Sequence, residues 1–437
     1  MRIHLTMFPR SLPLLTLVLA SSIASAQDVK LTPSHPDGLY AVGEPIAWDV
    51  TVKGEIAPST QASYKLKLNG KEDLASGALD LAQPHLRVEA PALTAPGAVL
   101  AEVTVTVPDK KPVKVLGGAV ADPFKIQPVL TRPDDFDQFW ATQLAALAKV
   151  APNPVVEPGE SGRPGVDYFK VTLDNVDGAK IHTQLARPTK GEKFPALVIV
   201  QWAGVYGLKK EFVTGHAAEG WLVINVLPHD LPLDESDEFF KQQSAGPLKD
   251  YASIGNESRE TSYFRKMFLG AHRAADYLTS RPDWDGKILV ANGGSQGGYQ
   301  SVVIAALDQR FTAVVAAIPA GCEITGGGGK RAGGWPSWNL KTSPAREAII
   351  ETSRYFDTVN FASRVHVPAL IGLGLIDTTC PPSGTLSMYN QLAGPKNVVI
   401  APGEGHPGPH QAYDKRAGAW LKALRTGAPL PLDAPGS

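Results

Sequence analysis

The segment Gly293-Gly294-Ser295-Gln296-Gly297-Gly298 constrains the fold more than any other part of this chain. The strand-like run Lys287 to Ala291 ends just before it, and a stretch of helical pattern follows to Leu307. A strand that turns this tightly into a helix has no room for side chains beside the central residue, hence the glycines of a G-x-S-x-G pattern. The turn lifts a serine hydroxyl above the sheet at a helix N-terminus, where developing negative charge is stabilised. The bland alternative is an ordinary Gly-rich turn. The strand before and the helix after favour a nucleophile at Ser295.

The surroundings repeat this alternation. Phe194 to Val200, Trp221 to Leu227, Ile288 to Ala291, Ala313 to Ile318, Ala369 to Leu375 and Val398 to Ile400 are short apolar runs that read as buried strands. Helical patterns separate them; in one, Phe264, Met267, Phe268, Ala271, Ala274, Ala275 and Leu278 mark a single face. Another helix opens at Pro133, Asp134 and Asp135, with Phe136, Phe139, Trp140, Leu144 and Leu147 on its apolar face. Strands apolar on both sides and alternating with helices predict an α/β fold: a doubly wound, mostly parallel sheet covered by helices.

Residues 27–122 have another texture. Tyr64, Leu66 and Leu68 alternate with polar residues up to Asn69-Gly70, a hairpin dipeptide, and Val99 to Val107 alternate again. With Val113 to Val120 as a further strand, this predicts a small β-sandwich domain, immunoglobulin-like in type, ahead of the α/β domain at 123–437. At the front, Arg2 and Arg10 flank and precede the run Leu12 to Ala20, and Ala24-Ser25-Ala26 follows. That is the pattern of a cleavable signal peptide over residues 1–26, too short to be a membrane span. A secreted or periplasmic protein is expected. Lys plus Arg (42) nearly cancels Asp plus Glu (43), so no basic excess draws in nucleic acid or a membrane surface. The two cysteines, Cys322 and Cys380, make no disulfide framework; buried free thiols are favoured over a bridge between them.

In folds with this turn, an acid and then a histidine follow the serine in chain order, the arrangement of an α/β-hydrolase. Asp377 stands just past the strand ending at Leu375, and His406 lies in Pro402-Gly403-Glu404-Gly405-His406 after the next strand. His406 can take the serine proton as general base, while Asp377 holds its tautomer. Such a base must be neutral, so activity should fall as the solution turns acidic. Asp377 also reads as a solvated loop carboxylate or a helix cap, and His410 competes as the base. His406 is preferred because it follows a Gly-rich turn, whereas His410 begins the last helix. His406 and His410 read weakly as a metal pair, with no third ligand in the sequence. An oxyanion hole needs two backbone N–H donors: one from Gln296, the other from the loop Gln201-Trp202-Ala203-Gly204-Val205-Tyr206-Gly207.

At these residues the chain resembles the acetyl xylan esterase / cephalosporin C deacetylase family. The likeness spans about residues 123 to 425 and rests on four segments: Asp134-Asp135-Phe136-Asp137-Gln138-Phe139-Trp140, the turn around Ser295, Leu375-Ile376-Asp377-Thr378-Thr379-Cys380-Pro381-Pro382, and Tyr389-Asn390-Gln391-Leu392-Ala393-Gly394-Pro395-Lys396. It implies a deacetylase that needs no metal or cofactor and removes small acyl groups from sugars, with a small-molecule or polysaccharide acetyl ester as substrate. It also maps the second oxyanion donor to the N–H of Val205, where the family usually has tyrosine. Two departures stand out: Pro228-His229-Asp230 replaces an Arg-Gly-Gln segment, and Pro407 follows His406 where glutamate is usual.

Trp202 and Tyr206 in the oxyanion loop, and Trp335 and Trp338 after the strand Ala313 to Ile318, are candidates to contact substrate. Trp335 or Trp338 is expected either to offer a flat face to a sugar ring or to pin its loop to the body. Two rival functions remain in view. An exopeptidase related to prolyl oligopeptidase would usually carry an aromatic residue after the serine and a larger β-propeller. A hydrolase-fold binding protein would usually have lost a member of the triad.

Overall fold

The computed structural model describes residues 28–432 except 54–55, 57–58 and 341–342. The expected signal peptide, with its cleavage site after Ala26, lies outside the described residues.

The centre is a nine-stranded sheet. Its strands lie in the order Lys396–Ala401, Ala369–Gly374, Ala313–Ala317, Trp284–Gly294, Phe194–Val200, Leu222–Val226, Lys180–Pro188, Val166–Asp174 and Val155–Gly159. The first six are parallel, and they are the six apolar runs marked in the sequence. The last three pair antiparallel and were not among the expected strands. The sheet is therefore mixed, with a parallel heart and an antiparallel flank.

Strand periodicity explains the continuous apolar runs. Ala196, Val198 and Val200 pack into one core with the helices Tyr263–Ser280 and Gln296–Leu307, while Leu197 and Ile199 pack into a second with Glu211–Glu219 and Gln411–Thr426. Leu289 and Ala291 against Val290, and Val314 and Ala316 against Val315, divide in the same way. A strand covered by helices on both faces has no polar side to show. The expected helical face from Phe264 to Leu278 is buried as a unit, its residues recurring at steps of three and four such as Phe264–Met267–Ala271–Ala274–Leu278.

The chain order of the strands creates the site. Phe194–Val200 leads to Leu222–Val226 on one side, and the chain then crosses back to Trp284–Gly294 on the other. Loops leaving Phe194–Val200 and Trp284–Gly294 thus part at a switch point, where a crevice opens at the carboxyl ends of the strands.

The N-terminal region forms two further sheets. Asp28–Pro33, Ile46–Lys53 and Leu86–Ala90 make one; Leu39–Tyr40, Val113–Ala121, Gly97–Thr106, Gln61–Leu68 and Glu72–Leu79 make the other. Ile46, Trp48 and Val88 from the first share a core with Leu66, Ala101 and Val103 from the second. The turn at Asn69-Gly70 closes with a hydrogen bond from the Lys71 N–H to the Leu68 carbonyl (3.0 Å). Both turn residues have positive φ, 49° and 70°, the geometry that Asn-Gly tolerates best.

These sheets pack against the strand that carries the acid loop. Ala98 and Val120 join Leu373, Leu375 and Leu386 in one apolar cluster. Gly118 sits so close that a β-carbon there would lie 2.4 Å from the Leu375 β-carbon. The hairpin tip reaches further, accepting a hydrogen bond at the Asn69 carbonyl from the Ala332 N–H (3.0 Å). Cys322 and Cys380 are both buried and unbridged, as favoured from the sequence. Among the described residues no helix is long and apolar enough to cross a membrane.

Candidate active site

Ser295 sits between the strand Trp284–Gly294 and the helix Gln296–Leu307 with φ 55° and ψ −119°. A non-glycine residue held there is strained, and the neighbouring backbone must hold it in place. The Ser295 N–H donates to the Ala317 carbonyl, and its own carbonyl accepts from the N–H groups of Tyr299 and Ala320 (3.0 Å each). The glycines are required by contact: a β-carbon on Gly297 would lie 2.2 Å from the Val200 carbonyl oxygen, and one on Gly293 2.5 Å from the Gly297 backbone. The turn therefore nests against the strand that launches the oxyanion loop.

The Ser295 Oγ lies 2.9 Å from His406 Nε2, and His406 Nδ1 lies 2.8 Å from Asp377 Oδ2. A carboxylate only accepts, so Nδ1 carries the proton and Nε2 is left to accept the serine hydrogen. Asp377, 3% exposed, is itself oriented by the N–H groups of Thr379 and Cys380, which both donate to Oδ1 at 2.8 Å. Ser295 is 8% exposed. This geometry lets the imidazole withdraw the hydroxyl proton and the carboxylate steady the resulting cation.

His410 is arranged differently. It precedes the helix Gln411–Thr426, and its ring nitrogens meet Glu404 Oε2 and the His406 carbonyl (3.0 Å each). Both nitrogens are engaged away from Ser295, so His410 supports the His406 loop.

Gln296 and the loop 201–207, from which the oxyanion donors are expected, are tied together by hydrogen bonds. Gln296 opens its helix, where backbone N–H groups lack intrahelical partners. Its side chain and that of Gln300 both donate to the Gln201 carbonyl (3.4 Å), and Gln201 donates to Asn225 (2.6 Å). The Tyr251 hydroxyl donates to Gln296 Oε1 (2.5 Å) and accepts from the Gly204 N–H (3.2 Å). Val205 is half-buried against the main core.

With that geometry in view, the comparisons are decisive. The sequence profile of the acetyl xylan esterase (AXE1) family matches residues 124–424. The chain belongs to that family. The esterase is 30% identical over 382 residues to the acetyl esterase Axe7A of Xylanibacter ruminicola, covering 86% of this chain and 85% of that one. Its fold is similar to an acetyl xylan esterase from Paenibacillus sp. R4 (TM-score 0.60, 25% identity), covering 69% of this chain and 98% of that one. Acetyl xylan esterase 1 from Thermoanaerobacterium sp. JW/SL YS485 gives the same TM-score, 0.60, at 22% identity, covering 69% and 97%. The protein is a carboxylic ester hydrolase.

The aromatic candidates separate clearly in the esterase. Trp202 is 44% exposed and stacks on Tyr206, ring centres 5.4 Å apart. The Tyr206 hydroxyl turns inward to the Trp202 carbonyl (2.9 Å), closing the loop on itself. Trp338 is 3% exposed and donates its indole N–H to the Ala252 carbonyl (2.7 Å). The buried indole ties its loop to the body. Trp335 is half-buried, near the Tyr251 and Phe264 rings.

Two arrangements were barely legible beforehand. Cys380 Sγ stands with ligand atoms of Asp377 and His406, all within 4.8 Å of one another. Burial pushes the Cys380 thiol well up, while the His406 nitrogens face Ser295 and Asp377 and the Asp377 carboxylate faces His406 and two backbone N–H groups. Tyr251 and His229 come from distant segments to hold the loop 201–207 at Gly204. The only sequence signal was Pro228-His229-Asp230 itself, a histidine placed directly after a buried strand.

Proposed function

We propose that the esterase is exported and removes acetyl and other small acyl groups from acetylated xylan or related sugars, with Ser295 as nucleophile, His406 as base and Asp377 as its orienting acid. The observation that carries this reading is the 2.9 Å approach of Ser295 Oγ to His406 Nε2, with Asp377 at 2.8 Å behind it. The acetyl specificity is drawn from the names of the relatives, and export from the pattern of the first 26 residues.

Ser295 Oγ attacks the ester carbonyl carbon while its proton passes to His406 Nε2. The negative oxygen of the tetrahedral intermediate is held by the N–H groups of Val205 and Gln296. As that intermediate collapses, the carbon–oxygen bond to the sugar breaks and His406 returns the proton to the departing alkoxide. Water then adds to the acyl-serine, giving its proton to His406, and acetate leaves as Ser295 regains a proton. Residues 27–122 act in this scheme as a sandwich domain that braces the Asp377 loop, a role supported by the contacts of Leu375 with Gly118 and Ala98.

The test is turnover of 4-nitrophenyl esters from acetyl to octanoyl, alongside acetate release from acetylated xylan oligosaccharides. Rates that are highest for acetate and fade with chain length, with acetate freed from the oligosaccharides, are expected. A preference for long acyl chains, or no release from acetylated sugars, would overturn the substrate assignment.

A further inference from the structure

The Gly204–Val205 peptide unit, through its C=O, and the Ala203–Gly204 unit before it, through its N–H, are each held from outside the loop that contains them. The Gly204 carbonyl lies 2.9 Å from His229 Nε2, and the Gly204 N–H donates to the Tyr251 hydroxyl at 3.2 Å. Gly204 has φ 129°, a conformation that side-chain-bearing residues rarely adopt, so external contacts are needed to fix it. The peptide is planar and trans, and its C=O and N–H therefore point in opposite directions. Whatever holds the Gly204 oxygen also aims the Val205 N–H.

His229 is suited to that task. A carbonyl only accepts, so Nε2 must carry the proton. The ring is 2% exposed, and burial pushes its pKa down to about 4, keeping it neutral. Nδ1 then accepts from the Tyr263 hydroxyl at 2.8 Å. Tyr251 packs edge-on against the same ring, centres 4.6 Å apart. Through its hydroxyl it joins Gly204 to the side chain of Gln296 at 2.5 Å.

We infer that His229 and Tyr251 are positioning residues for the oxyanion hole: His229 holds the Gly204–Val205 peptide by its C=O and Tyr251 holds the preceding peptide by the Gly204 N–H, so that the Val205 N–H points at the same place as the Gln296 N–H. The inference rests on the serine-esterase reading above. It adds that Pro228-His229-Asp230 is the segment by which this chain fixes its second oxyanion donor. Neither residue touches the substrate. Their effect is felt only when negative charge develops on the carbonyl oxygen, so it falls on kcat and leaves KM nearly alone.

The experiment compares 4-nitrophenyl acetate kinetics of the full chain with those of His229→Phe, His229→Gln, Tyr251→Phe and Ser295→Ala. Phe keeps the ring and removes the donor, whereas Gln replaces the ring and keeps an N–H near the Nε2 position. His229→Phe should lose at least about tenfold in kcat, with KM within about threefold. His229→Gln should recover most of that loss, although it packs less well. Tyr251→Phe lacks only a hydroxyl and should fold; it should also lower kcat without raising KM. A tetrahedral boronate inhibitor should weaken in step with kcat/KM across the series.

If His229→Phe and Tyr251→Phe keep wild-type kcat, the clamp is wrong. The same holds if Gln proves worse than Phe, which would mark a packing role alone. Should Ser295→Ala retain full activity, the serine-esterase reading fails first, and the two failures are thereby told apart.

Discussion

In the proposed mechanism, the acid–base side and the oxyanion side of Ser295 are assembled in opposite ways. Asp377 and His406 come from loops after two adjacent parallel strands, and each loop orients its own residue: Thr379 and Cys380 hold Asp377, and His410 holds the His406 carbonyl. The oxyanion side is supported from afar. Its loop follows Phe194–Val200, yet Gly204 is held by His229 and Tyr251, and Tyr263 backs His229. A local arm can be read from its own residues and is expected to fail steeply when one is removed. A remote arm leaves only a faint trace in sequence, the Pro228-His229-Asp230 segment, and is expected to fail by degrees.

The largest effect that sharpens this contrast belongs to the local arm. Asp377→Asn turns one carboxylate oxygen into an amide that favours the wrong histidine tautomer, and kcat should fall by about 10⁴. The variant should remain folded, because the Thr379 and Cys380 N–H groups still find an oxygen at that position. Steady-state kinetics beside a thermal melt checks both. A loss of only a few-fold would mean that His406 does not depend on Asp377, and the contrast between the arms would collapse.

A smaller effect belongs to the remote arm and concerns stability. Burial lowers the pKa of His229 to about 4 from the ordinary histidine value of about 6.5, and it lowers His216 and His272 as well. Between those values the unfolded chain binds more protons than the folded one. Stability is therefore full above pH 6.5 and falls as pH drops toward 4, with His229 contributing up to about 3 kcal/mol. Urea unfolding at pH 7 and pH 4.5 should show the drop, and His229→Phe should show a smaller one. An equal drop in parent and variant would mean that His229 already takes up its proton in the fold.

The same division governed what the sequence revealed. The six parallel strands were legible because helices cover both faces, which forces continuous apolar runs such as Phe194 to Val200. The antiparallel strands Val166–Asp174 and Lys180–Pro188 were missed: the first alternates between buried and half-exposed positions and is broken by Asp167 and Lys170, and in the second the buried run Thr183 to Ala186 includes the polar Thr183 and Gln184. Ser295, Asp377 and His406 each stand in a Gly-rich or strand-end setting that their chemistry demands. Tyr251 and Tyr263 have no such setting. Tyr251 lies in a short 3₁₀ turn and Tyr263 at the start of a long helix, and only the fold brings both to His229. Trp338 was ambiguous for a related reason: whether an indole faces solvent or Ala252 depends on tertiary contact, and contact decided it.

The central claim is that Ser295 is the nucleophile, and a fluorophosphonate label tests it most directly. The account predicts one adduct per chain, found on the peptide containing Ser295, with ester hydrolysis lost in proportion to labelling. Ser295→Ala should take up no label and turn over no ester. An adduct on another residue, or ester turnover by Ser295→Ala at the parent rate, would contradict it.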